Sequence, residues 1–236
     1  MKTYMYISTL FGLLFISTYC MAADLSKGRF VTQNDIPQIL SEVANNEYLE
    51  YDNIRNKGYS LDACKAAVTL VTKIYQLGSD FRAGKESNIL LGGAAQLMAW
   101  SLAIRTWKAT TDLAGKAVIM QAWNAALEES TEDKSLQLTA LVYNWDKTLL
   151  TNECLDVFKN TRDVMTIHAF CMIFGKYGED EERKLLETKL AYIDYFMKDD
   201  KIIYGSNRSN IRTAMDNISM RKAENIFQRQ LRAYKQ

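Results

Sequence analysis

The chain has 236 residues, 48% of them apolar, with 29 Lys and Arg against 28 Asp and Glu. That length suits one sizeable domain, and that apolar share excludes a disordered tail. The near-neutral balance gives no global attraction to nucleic acid, whose binding normally leaves a basic stripe, and no nucleic-acid partner is expected.

The chain opens MKTYMYISTLFGLLFISTYCMAAD, with Lys2, an apolar run and then small residues around Cys20, Ala22 and Ala23. This is the three-part pattern of a secretory signal. Residues 1–22 are therefore read as a signal peptide cleaved after Ala22, and the protein is expected to be exported, periplasmic or secreted. Export places Cys64, Cys154 and Cys171 in an oxidising compartment, where one disulfide and one leftover thiol is the simplest expectation. Spacing does not choose the pair. Cys171, central in an apolar helical face, is the expected buried thiol.

Residues 23–34 read as an irregular arm. From Asp35-Ile36-Pro37 onward helical spacing recurs, with Pro suited to a first helical turn. Ile36, Leu40, Val43, Tyr51 and Ile54 follow that spacing, with a break expected at Asn45-Asn46. Ser60 caps the next helix, with Asp62 in its first turn. Thr111-Asp112 opens an Ala-rich helix, Ser130 with Asp133 starts another, and Asn160 with Asp163 repeats that spacing before Val164–Phe174. Gly175 and Gly178 separate the last from Glu179–Lys198, and a final helix is expected from about Ser209 to Tyr234. Alternating strand patterns and linkers enriched in Pro, Gly or Ser are absent from this region. The expectation is an all-α fold: one domain over 35–236, a single compact multi-helix bundle of seven or eight helices.

One segment, NILLGGAAQLMAWSLAI (Asn88–Ile104), carries no charge. It is at the short limit for crossing a bilayer, and Asn88, Gln96 and Ser101 weaken its apolar character. Leu91, Ala95, Ala99, Ala103 and Trp107 share one i+4 row, a ridge over which another helix can approach closely. The segment is read as half of a buried Ala/Gly-rich central hairpin, with the following Ala-rich helix as its neighbour.

Chemistry-bearing motifs are sparse. His168 and Cys171, three residues apart, are the only candidates for a nucleophilic or metal-binding pair. No third orienting group is identifiable, and no second histidine exists to complete an ordinary zinc site. No metal or cofactor is expected. The acidic runs Glu128-Glu129, Asp180-Glu181-Glu182 and Asp199-Asp200 stand at helix ends, where acids are favoured at helix starts.

The end of the chain is cationic. Arg208, Arg212, Arg221, Lys222, Arg229, Arg232 and Lys235 stand against Asp216 and Glu224. Ile211, Ala214, Met215 and Ile218 form one apolar stripe, while Ala223, Ile226, Phe227, Leu231 and Tyr234 lie on a rotated face. Such a helix docks on acidic partners or rests on anionic membranes. Arg221, Lys222, Arg229, Arg232 and Lys235 are the expected partner-binding residues. Asn207-Arg208-Ser209 and Asn217-Ile218-Ser219 are glycosylation sequons, relevant only in a eukaryotic secretory route.

The functional expectation is an exported helical protein that binds a macromolecular partner, an acidic protein in the first instance. It would act as an inhibitor or immunity-type protein, or as an accessory of an envelope or secretion apparatus. Two alternatives stand beside it. One is a hydrolytic enzyme using Cys171/His168 or a carboxylate pair. The other is a membrane-active protein using residues 88–104 and the cationic terminal helix, with peripheral membrane contact.

Overall fold

The computed structural model describes residues 22–24, 29–31, 36–82, 86–128, 131–196 and 201–234. The expected signal peptide therefore lies, but for Ala22, outside the described residues, as do Ser130, Asp199, Asp200 and Lys235. The fold is an all-α bundle with nine α-helices among the described residues. Its Cα neighbours separate into two compact units: the chain up to Ala126 together with Tyr143–Asp146, and the remainder. The boundary carries no Gly- or Pro-rich linker, which is why the sequence suggested one domain.

In the first unit two three-residue strands, β1 (Ala22–Asp24) and β2 (Arg29–Val31), pair antiparallel with Ala23 opposite Phe30. They occupy part of the stretch read as an irregular arm. Helices α1 (Ile36–Arg55), α2 (Leu61–Arg82), α3 (Glu86–Ala109) and α4 (Leu113–Ala126) follow. Ala44 leaves helical geometry at φ −145° and ψ 60°, one residue before the break expected at Asn45-Asn46. Gly58 takes a φ of +140° in the turn after α1, a conformation that L side chains rarely adopt. Ser60 then caps α2 by accepting the Ala63 N–H at 3.4 Å. Asp112 starts α4 by accepting the N–H groups of Ala114 at 2.9 Å and Gly115 at 3.1 Å.

Helix α3 is the core of this unit. Ala95, Met98, Ala99, Trp100, Ala103 and Ile104 are all buried, along with the polar Gln96, Ser101 and Thr106. Its principal neighbour is α2; α4 packs more on α2 than on α3. The close approach expected of an Ala-rich α3–α4 hairpin is made instead at Gly115, where α4 meets α2. A Cβ added there would lie 2.7 Å from the Cys64 sulfur and 3.4 Å from the Leu61 Cα. Trp100 and Trp123 meet edge-to-face at 5.2 Å, and the Trp100 indole N–H donates to the Tyr75 hydroxyl at 3.0 Å. No helix among the described residues is long and apolar enough to cross a membrane.

The Tyr143–Asp146 segment joins this unit through the last turns of α3. Arg105 Nε donates to Asn144 Oδ1 at 3.1 Å, Trp107 Nε1 to Asp146 Oδ2 at 3.2 Å, and Lys108 Nζ to the Trp145 carbonyl at 3.2 Å.

The second unit holds α5 (Thr131–Tyr143), a 3-10 turn at Lys147–Leu149, α6 (Asn152–Asn160), α7 (Val164–Tyr177), α8 (Asp180–Phe196) and α9 (Lys201–Tyr234). Thr151 caps α6. Asp163 caps α7, accepting the Thr166 N–H at 2.6 Å. Asn160 is thus the last residue of α6 rather than the cap of α7. Phe158, Phe170 and Phe174 form a ring cluster with centroids 5.0–5.6 Å apart. Helix α7 is buried on most sides, and α9 is its largest neighbour. Gly175 lies at that contact, where an added Cβ would stand 3.4 Å from the Ala214 Cα. Helix α9 begins eight residues before the expected Ser209 because Tyr204 and Asn207 continue its spacing.

Candidate functional site

The three cysteines are free and buried, so the expected disulfide among them is not formed. Cys64 belongs to the first unit, Cys154 and Cys171 to the second. Cys64 packs against Gly115 in the first unit, and Cys154 donates its thiol to the Leu149 carbonyl at 3.4 Å in the second. Burial pushes the Cys171 thiol up to about 12. Burial also lowers the pKa of His168 below its ordinary 6.5, partly opposed by a hydrogen bond with Asn210. A thiolate–imidazolium pair needs both shifts to run the other way. The arrangement favours a neutral thiol and a neutral imidazole at pH 7, which is a packing arrangement rather than an activated nucleophile. Among the described residues no cluster of three or more His, Cys, Asp and Glu side chains could hold a metal ion.

Two of the described acids near helix ends have local uses. Glu182 accepts the Glu179 N–H at 2.8 Å, a capping arrangement at the start of α8, and Asp180 pairs with Lys222. An open depression of about 510 Å³ beside the α1–α2 turn is lined by Glu50, Lys57, Asp62 and Lys65. Its mixed charges and open form lack the apolar enclosure of an ordinary small-molecule site.

The five expected partner-binding residues divide by position along α9. Arg221 is half-buried, and its Nη2 donates to the Gly178 carbonyl at 2.6 Å, closing the end of α7. Lys222 reaches Asp180 at 2.8 Å, and this pair holds the Asp180 carboxyl below the usual carboxylate range. One turn earlier Arg183 donates to Ser219 Oγ at 3.0 Å. These contacts tie α9 to the α7–α8 corner. From Lys222 to Tyr234 every residue is exposed. Arg229 and Arg232 belong to this projecting end; Lys235 lies outside the described residues.

The exposed end carries a large apolar face. Met220 is 62% exposed, Ile226 50%, Phe227 60%, Leu231 37% and Tyr234 91%. At about 100° per residue, Asn207, Ile211, Ala214 and Ile218, which face the unit's own core, cluster on one line of the helix. The exposed apolar residues cluster roughly 160° away, on nearly the opposite side. Arg229 and Arg232 fall back on the first line. One continuous helix thus exchanges its apolar and polar sides near residue 220, and the second apolar side points away from the unit that carries it.

The burial of two polar residues was not read from the sequence. Lys189, in mid-α8, is only 2% exposed, and Asn207 is wholly buried. Lys189 Nζ donates to the Lys159 and Thr161 carbonyls at 2.8 and 2.6 Å and lies over the rings of Tyr192 and Phe158. A cation near a helix C-terminus is a general signal, but the partner helix is thirty residues away in sequence. Burial of Asn207 closes the first sequon to glycan in the folded state. No family model, curated protein or solved structure matches this chain.

Proposed function

We propose that this chain is an exported binding protein, an accessory of an envelope or secretion apparatus, that docks on an acidic macromolecular surface through the projecting end of α9. The observation that carries the reading is the exposed apolar face of Met220, Ile226, Phe227, Leu231 and Tyr234 on a helix end that also carries the exposed Arg229 and Arg232. Isolated apolar residues on a surface are ordinary, but several large ones along one helix face mark an interaction site. The hydrolytic alternative has weaker support, because Cys171 is held protonated and His168 neutral.

The test is affinity capture from the native envelope fraction with the full chain and with a chain ending at Lys222, followed by protein and lipid analysis. Arm-dependent, near-stoichiometric retention of one component is expected. Equal retention by both chains, or none by either, overturns the assignment of docking to this helix.

A further inference from the structure

Resting on that docking reading, we infer that the acidic surface is an anionic lipid bilayer, on which the end of α9 lies flat. Three features of the arm favour lipid over an acidic groove on a protein.

The first is the breadth of the apolar sector. From Ala233 through Ile226, Ala223, Tyr234 and Phe227 to Leu231 it spans about 160° of the helix, interrupted by Gln230. A helix seated in a protein groove presents a narrower line of anchors at i, i+3, i+4 and i+7. A sector of almost half the circumference suits a helix half-sunk in an apolar medium.

The second is where the cations sit. Arg232 lies opposite the midline of the apolar sector, and Arg229 stands about 120° from that midline, just beyond the Ala233 edge. A groove that took the apolar face would leave the Arg232 guanidinium on its outer side, away from acidic walls. A helix embedded at headgroup level is surrounded by phosphates, and both guanidinium groups then lie within about a Debye length, ~10 Å, of negative charge. Glu224 is the only acid from Lys222 onward within the described helix, so the arm is attracted as a whole.

The third is orientation. Arg221 on Gly178 and Lys222 on Asp180 fix the base of the arm, and its apolar side then faces away from the core of its own unit. The arm can meet a flat surface with that side while the unit that carries it stays behind the helix. Phe227 and Tyr234 add aromatic rings of the kind that settle at the lipid–water boundary. The exposed length, roughly 20 Å, lies along a bilayer without spanning it.

The experiment is vesicle flotation of the purified full chain with two lipid compositions: phosphatidylcholine alone, and phosphatidylcholine with about a third phosphatidylglycerol. We expect the chain to float with the anionic vesicles and to stay behind with the neutral ones. Arg229→Glu with Arg232→Glu should lower anionic binding by more than about tenfold, and Phe227→Asp with Leu231→Asp should remove it. All four side chains are exposed, so the unfolding midpoint checks that each variant is folded. Equal binding to both compositions, or anionic binding insensitive to these variants, overturns the inference. No flotation together with arm-dependent capture of a protein overturns the lipid assignment and leaves the docking reading standing. Failure of both experiments removes both.

Discussion

The ammonium of Lys189 donates to the Thr161 carbonyl at 2.6 Å, anchoring α8 to the end of α6 inside the second unit. A second bond, to the Lys159 carbonyl at 2.8 Å, satisfies another of the carbonyls that a helix end leaves open. The interaction is costly as well as useful. Burial, with Arg162 adding a like charge, brings the Lys189 amine down to about 8.

Lys189→Met leaves two part-buried helix-end carbonyls without this donor and should destabilise the protein by about 1–3 kcal/mol at pH 7. The sign of the pH dependence follows from the lowered value. Between about 8 and the ordinary 10.5 the unfolded amine holds its proton while the folded one releases it, so the folded state gains stability as pH rises. Conversely, that contribution disappears as pH falls through about 8. Urea unfolding of both proteins at several pH values checks this. The gap between wild type and variant should widen above pH 8; a constant gap contradicts the assignment.

Gly115→Ala should cost about 1–3 kcal/mol, because its methyl would stand 2.7 Å from the Cys64 sulfur with the Leu61 backbone behind. Cys64→Ala empties that space at its own cost. The double variant should be more stable than the sum of the single effects implies, by about 0.5 kcal/mol or more. Additive effects in a double-mutant cycle would mean that α4 simply moves away.

The basic residues of α9 should separate by measurement as they do by position. Arg221→Met removes the bond to the Gly178 carbonyl and should lower stability by about 1–3 kcal/mol. Arg229→Glu and Arg232→Glu touch only solvent-exposed helix and should each fall within about 0.5 kcal/mol of wild type. Comparable losses at Arg221 and Arg229 in thermal unfolding would contradict the description of the arm.

Cys171 should resist iodoacetamide in the folded protein at pH 8, since the reactive species is the thiolate and burial holds the thiol at about 12. Labelling should appear on unfolding. His168 provides a companion test on the acid side. Its folded pKa lies below 6.5, so the unfolded state binds the proton more readily and stability falls as pH drops through that region. His168→Gln should flatten this part of the acid-unfolding profile; an unchanged slope would assign the acid sensitivity elsewhere.

The order and type of the helices were largely legible in the sequence because they depend on local spacing and local hydrogen bonds. Ser60 and Asp112 act where their side chains reach the next turn, and the break in α1 falls at Ala44 beside the expected Asn45-Asn46. The change of face in α9 was also legible, since the periods of Ile211–Ile218 and Ala223–Tyr234 are written in the chain itself. What could not be read was which helix meets which. The Ala-rich row of α3 announces a burial site without naming its neighbour, and α2 rather than α4 takes the larger share of α3.

The sequence by itself determined the all-α character and the uncharged stretch Asn88–Ile104 within α3. It also determined the amphipathic, cationic end of the chain, because helix periodicity and apolar transfer act over a few residues. Only the tertiary structure decided the fate of individual charges and thiols. It paired Lys222 with Asp180, placed Arg221 under the end of α7, buried Lys189 and kept the three cysteines apart. Those outcomes depend on which distant groups packing brings within a few ångströms, and a one-dimensional pattern carries no distance between residues thirty or more positions apart.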